Sequence, residues 1–444
     1  MRKITTIALL LSLVWIVLFS VPAQGYTPEF AVQSKAVYLI NTDTGNVVFS
    51  QRENEKMYPA SITKVMTAIV VLEEYGDRLD EMVTAQQNVF DELFGTDSST
   101  MGVKLGETLS ARDLLFGMVI HSANEAACIL ADHFSDGDRA LFIKKMNEKA
   151  AALGMTSSHF TNPHGLHEEN QYVTAKDVYL MSAHAMTLPL FADMVAMTRY
   201  SLPATNKRGA QTLINTNKMM EPYSQYYMKG VKGIKTGTTD EAGFCLTSIA
   251  TQNGYTYMCV AMGAPCYDDN KKPAALNGAF VDSKKLYEWA FSGFYKETVI
   301  SVKEPMGQIK VNLSKDTDSL QLNFSQDFVA LIPKAATDPK SAIKVEPHVP
   351  DSIDAPVQKG QKIGTATLML AGEVIGEVDL LAAESVERSG LMVFLQGASN
   401  VIDSLWFKLI VALLILLIAA YVVYAVIHNN RRKKLKKVKR YRHF

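Results

Sequence analysis

The chain has 444 residues, enough for two or three domains with cores of their own. Its 45 basic and 45 acidic residues cancel only formally. Ten Lys/Arg fall in residues 408–444 and two in 1–25, with no acid in either stretch, so the rest carries 33 bases against 45 acids, a net of about −12. So acidic a body argues against nucleic-acid binding. Four cysteines without metal-ligand spacing, Cys128, Cys245, Cys259 and Cys266, argue against a zinc site or a disulfide scaffold. They are expected as buried free thiols. Cys245 and Cys259 would lie on opposite faces of one hairpin turning at Asn253-Gly254.

Arg2 and Lys3 precede an apolar run, Ile7 to Val21, and then Pro22-Ala23-Gln24-Gly25. That pattern predicts a signal peptide over residues 1–25. Ala36–Ile40 and Val47–Phe49 flank a turn and read as a hairpin. A buried helix follows Pro59 and runs through Ser61, Lys64 and on to Leu72. Helices are expected over Leu109–His121, Glu125–Phe134, Arg139–Leu153 and Thr174–Ala185, the last capped by Thr174. Strand-like runs come next at Val231–Thr236, Phe244–Ala250 and Tyr255–Met262. Strands at both ends around a helical middle predict an α+β domain with one antiparallel sheet, over 26–296.

Short strand-like runs from Val299 to Leu380 predict a small all-β domain over 297–390, followed by a juxtamembrane linker over 391–404. Leu409 to Ile427 is free of charge and stands before Arg431-Arg432-Lys433-Lys434. It predicts a transmembrane helix over 405–428 and a basic cytoplasmic tail over 429–444, with the catalytic domain outside the membrane.

Three short motifs carry the chemistry. Ser61 and Lys64 are three apart and share a helix face; a desolvated lysine can take the proton of a serine nucleophile. Ser122-Ala123-Asn124 falls between two helices, where a hydroxyl and an amide can point into a cleft. Lys235-Thr236-Gly237 lies on a strand, followed by Thr238; lysine and threonine can hold a carboxylate there, and glycine lets a substrate lie close. Each alone is common. A pair such as Ser-x-x-Lys arises by chance about once or twice in a chain this long.

Together and in this order they resemble the penicillin-recognising serine enzymes. Tyr58-Pro59-Ala60-Ser61-Ile62-Thr63-Lys64, Asn162-Pro163-His164-Gly165-Leu166 and Gly233-Ile234-Lys235-Thr236-Gly237 resemble more closely the D-alanyl-D-alanine carboxypeptidases, the low-molecular-mass penicillin-binding proteins. The resemblance covers about residues 30 to 385. It implies a β-lactamase/transpeptidase-like catalytic domain followed by the all-β domain. It implies Ser61 as nucleophile, Lys64 as general base, Ser122 as proton relay and Asn124 as orienting residue. Lys235, Thr236, Gly237 and Thr238 would bind the substrate carboxylate, with His164 at the site's edge as a substrate-binding or turn-stabilising residue. The implied partners are peptidoglycan stem peptides ending in D-Ala-D-Ala, β-lactams as covalent inhibitors, and the membrane; no cofactor and no metal is called for. A β-lactamase and a non-turnover β-lactam sensor or scaffold are the alternatives. Ala123 stands where lactamases carry Asp, which counts against the first, and the short basic tail counts against the second.

Overall fold

The structure, a computed structural model, describes residues 28–96, 98–334, 343–370 and 373–440. The expected signal peptide and the turn Ala371-Gly372 lie outside the described residues. Among the described residues the chain divides into two compact units, one of residues 28–297 with 329–334, the other of residues 298–328 with those from 343 to 440.

In the first unit, β1 (Ala36–Asn41) and β2 (Val47–Gln51) form the expected hairpin. A single 3-10 turn, Ala60–Ile62, leads into α1 (Thr63–Tyr75). Then come β3 (Met82–Thr84), α2 (Gln87–Leu93), β4 (Thr108–Ser110), α3 (Ala111–Ile120), α4 (Asn124–His133), α5 (Arg139–Ala152), α6 (Ala175–Ala185), α7 (Pro189–Ala196), β5 (Arg199–Leu202) and β6 (Gln211–Ile214). The chain returns through β7 (Val231–Thr239), β8 (Gly243–Gln252) and β9 (Tyr255–Ala264) and ends on α8 (Gly278–Gly293). Thr174 caps α6, its hydroxyl accepting from the Asp177 N–H at 3.0 Å.

One antiparallel sheet joins the two ends of this stretch in the order β2-β1-β9-β8-β7. Both its faces are covered, which is why β1 and β9 read as unbroken apolar runs. Ala36, Tyr38, Ile40, Met258, Val260 and Met262 turn to the helical layer that contains α1; Val37, Leu39, Tyr257, Cys259 and Ala261 turn to α8. Cys245 belongs to the first core and Cys259 to the second, so the two thiols do face opposite ways across the Asn253-Gly254 hairpin. Cys128, Cys245 and Cys259 are buried free thiols; Cys266 differs in being only half-buried, because it lies past the end of β9. Helix α1 is buried all along Thr63–Val71, so its apolarity on every side needs no outward face.

The second unit is built on a six-stranded sheet. Its strands are β11 (Pro305–Asn312), β12 (Ser319–Phe324), β14 (Ile343–His348), β15 (Ser352–Asp354), β16 (Lys362–Leu370) and β17 (Glu373–Ala382), while β10 (Phe294–Ile300) and β13 (Phe328–Pro333), which pair with each other, fall mostly in the first unit. The order is β14-β16-β17-β12-β11-β15, and the β11–β15 pair is parallel, which short strand-like runs alone do not announce. The stretch expected as a juxtamembrane linker, 391–404, is helical up to residue 403: α9 (Gly390–Asp403) is capped by the Ser389 hydroxyl and buries none of its side chains. Next, α10 (Leu405–Arg440) holds a stretch, Leu405–Lys433, long and apolar enough to cross a membrane.

Candidate active site

The turn carrying Ser61 is gripped between two glycines. Ala60, just before Ser61, has φ +46°, a left-handed backbone that a β-carbon resists. Gly165, at φ +92°, approaches so near that a Cβ there would stand 1.9 Å from the Ala60 carbonyl oxygen. On the other side a Cβ at Gly237 would stand 2.9 Å from the Pro59 carbonyl oxygen and 3.2 Å from the Ser61 nitrogen. Only glycine fits either place. Strand β7 therefore lies directly against the turn, and Ser61 itself stays half-exposed.

The three motifs converge. The Lys64 amine, fully buried, lies 2.8 Å from Ser61 Oγ, 2.5 Å from Asn124 Oδ1 and 2.6 Å from the His164 carbonyl oxygen. Burial, and then the nearby Lys235 ammonium, push its pKa well below the ordinary lysine value. A neutral amine has two hydrogens and one lone pair. With Asn124 and His164 accepting the hydrogens, the lone pair is left for the Ser61 hydroxyl proton.

Lys235 is the second buried lysine. Its ammonium donates to Ser122 Oγ at 2.8 Å and to the Thr236 carbonyl at 3.1 Å, and burial brings its pKa down to about 7. Ser122 has φ +65°, the second strained backbone of the site. The Thr236 hydroxyl pairs at 2.6 Å with that of Thr216. Thr238 is exposed, with its hydroxyl turned back to the Gly237 carbonyl at 2.8 Å.

His164 is buried and meets Lys64 through its carbonyl, not its ring. Nδ1 accepts the Leu166 N–H at 3.1 Å, so Nε2 carries the proton and donates it to Glu92 at 3.0 Å. The Asn162 side chain closes this turn onto the Gly165 N–H at 2.6 Å, and Thr67 ties it to α1 by donating to the Pro163 carbonyl at 2.6 Å. Burial works against the charge on Glu92, but hydrogen bonds from His164 and Arg139 overcome it and hold its pKa at about 2. Donor atoms of Glu92, Cys128 and His164 lie within 4.8 Å of one another. They are committed elsewhere: Nε2 is protonated, Arg139 pairs with Glu92, and burial pushes the Cys128 thiol up. A metal would have to break these bonds first.

Sequence reasoning missed Thr216, Glu92 and Arg139, which reach the motifs only through the fold, and Glu125, which adjoins Asn124 but whose bonding partners do not. Glu168 and Glu169 are exposed, as a solvated loop requires.

Comparison with known proteins decides the family. Residues 23–266 match the family described as D-alanyl-D-alanine carboxypeptidase. The chain belongs to the D-alanyl-D-alanine carboxypeptidase family. Residues 294–388 match the penicillin-binding protein 5 C-terminal domain, which accounts for the β-rich second unit. The D-alanyl-D-alanine carboxypeptidase DacF of Bacillus subtilis is 30% identical over 371 residues, covering 83% of this chain and 90% of that one. Among solved structures, penicillin-binding protein 5 of Haemophilus influenzae superposes with a TM-score of 0.64 at 28% identity, over 82% of this chain and all of that one. Penicillin-binding protein D2 of Listeria monocytogenes, solved in an ampicillin-bound form, superposes with a TM-score of 0.50 at 28% identity over 60% of this chain and all of that one.

Proposed function

We propose that this carboxypeptidase removes the terminal D-Ala from peptidoglycan stem peptides through an acyl-enzyme on Ser61. The observation that carries the reading is the Lys64 amine, whose bonds to Asn124 and the His164 carbonyl leave one lone pair opposite the Ser61 hydroxyl. Ser61 Oγ attacks the carbonyl of the penultimate D-Ala as Lys64 takes its proton. The backbone N–H groups of Ser61 and Thr238 receive the developing oxyanion. Ser122, fed by Lys235, passes a proton to the leaving amine, and terminal D-Ala departs as a free amino acid. Water then hydrolyses the ester. Asn124 holds Lys64 and the substrate amide, while Lys235, Thr236, Gly237 and Thr238 receive the terminal carboxylate.

A β-lactam acylates the same serine, consistent with the ampicillin-bound relative. Nothing favours the lactamase or the sensor, since the named relatives are carboxypeptidases. The apolar α10 fits a membrane anchor, and the basic residues after it favour a cytoplasmic C-terminus, with the catalytic domain and the rest of the chain up to about residue 404 outside.

The test uses the full chain in detergent, wild type and Ser61→Ala, with a D-Ala-D-Ala-terminated peptide and separately with a labelled penicillin. Release of D-Ala and a denaturation-stable adduct, both lost in Ser61→Ala, are expected. An adduct without D-Ala release would replace the reading by a sensor, and rapid penicillin destruction by a lactamase.

A further inference from the structure

Glu125 follows Asn124 directly and is 2% exposed, yet none of the proposed chemistry uses it. Its Oε1 accepts three consecutive backbone N–H groups, from Met101 at 2.7 Å, Gly102 at 3.1 Å and Val103 at 3.4 Å. Its Oε2 is buried without a hydrogen-bond partner among the described residues. Burial outweighs those three bonds and raises its pKa. An acid kept in such a place is costly unless its geometry matters.

The segment it holds, Ser99–Val103, has no helix or strand of its own, so its backbone groups depend on side chains from elsewhere. On one side stands Glu125. On the other, Arg208 donates to the Met101 carbonyl at 2.6 Å and is itself fixed by the fully buried Glu107, 2.8 Å from its Nε. What the segment does with its other bonds is the decisive point. The Ser99 carbonyl accepts the Asn124 N–H at 2.8 Å, and the Ser99 hydroxyl donates to the His121 carbonyl at 3.1 Å. These two bonds flank Ser122, whose backbone sits at φ +65°.

We propose that Glu125 is a positioning residue for the proton relay: through the brace Ser99–Val103 it holds Ser122 in its left-handed backbone and so aims the hydroxyl at the leaving group. The proposal rests on the carboxypeptidase mechanism above. It requires a neutral or charged acceptor at Oε1 and nothing from Oε2. Glutamine supplies the same acceptor and alanine does not.

The experiment compares full-length wild type, Glu125→Gln, Glu125→Ala and Ser99→Ala in detergent. It reads kcat and KM for D-Ala release, the rate of acylation by labelled penicillin, and the thermal midpoint. Glu125→Ala is expected to lose about thirtyfold in kcat and in acylation rate with KM within about twofold of wild type, because the displaced group acts after binding. Glu125→Gln should stay within about threefold of wild type. Ser99→Ala, which cuts one exposed strut, should lose about threefold in kcat with its midpoint unmoved. Native kcat in Glu125→Ala overturns the proposal. So does a loss confined to KM, or a Gln variant as damaged as Ala. If Glu125→Ala does not fold, Ser99→Ala decides, and wild-type kcat there overturns the proposal too. A wild type that releases no D-Ala would instead overturn the mechanism on which it rests.

Discussion

The two units differ most in what they bury. Among the described residues, every buried polar or charged side chain but Ser314 belongs to the first unit, including Lys64, Lys235, Glu107, Glu125 and His164. The second unit packs Leu320, Leu322, Leu368 and Leu380 against one another's strands with almost nothing polar inside. An apolar interior is the cheaper way to be stable, so the polar one marks where chemistry is kept at the expense of stability. The fold of the first unit tolerates it because each group has partners: three for the Lys64 amine, two for the Lys235 ammonium, three N–H groups for Glu125.

The sharpest way to break that contrast is Lys64→Met. D-Ala release should fall by about a thousandfold as the general base is lost. The thermal midpoint should not fall, since an apolar chain of similar length relieves the desolvation of a buried amine. A midpoint lower by several degrees would mean that the polar interior is structural. Leu320→Ala asks the opposite of the second unit. Removing a fully buried side chain from β12 should cost about 3 kcal/mol by calorimetry. The kcat for a soluble peptide, measured well below the transition, should not change.

Lys235→Gln tests whether the two lysines are coupled. KM for the peptide should rise by about tenfold as the carboxylate loses a charged partner. Burial is the main cause of the lowered Lys64 pKa and the Lys235 ammonium the second, so the pKa of Lys64 should rise in the variant. The acid limb of penicillin acylation then moves to higher pH; an unmoved limb would separate the two lysines. The smallest effect is expected at Glu92. Its folded pKa of about 2 lies below the ordinary 4.5, so its contribution to stability is full above 4.5 and is lost as pH falls through about 2. Glu92→Gln should flatten the decline of the thermal midpoint over that window. A decline as steep as the wild type's would give the acid limb to other groups.

Much of this organisation was legible in the sequence, for a physical reason. A serine and a lysine three residues apart, a hydroxyl and amide in a break between helices, and a lysine on a strand are local arrangements, visible as residue types at a spacing. Helix α6 was legible from its cap, and β1, β8 and β9 from their apolar runs. The groups that hold the site were not. Glu125 looks like any acid in a first turn, and Arg208 like any loop arginine, because their partners lie 24 and 107 residues away. Thr216 meets Thr236 only after β7 has been laid beside the segment that follows β6. The sequence leaves His164 as a substrate-binding or a turn-stabilising residue, because it names the side chain alone; in the structure Nδ1 accepts within the turn from the Leu166 N–H and the carbonyl meets Lys64.

The contact of Gly237 with the Ser61 turn has a further consequence. No side chain separates β7 from Pro59 and Ser61, so backbone against backbone holds Lys235 and Ser61 at a fixed spacing. Under the mechanism proposed above, such a gap would work as a ruler with a single mark. A peptide would set its scissile carbonyl at Ser61 and the carboxylate of the next, terminal residue at Lys235. The enzyme would then count from the end of the chain. An internal bond has no terminus to set against the mark, and a side chain at position 237 would shift the mark before it touched any catalytic group.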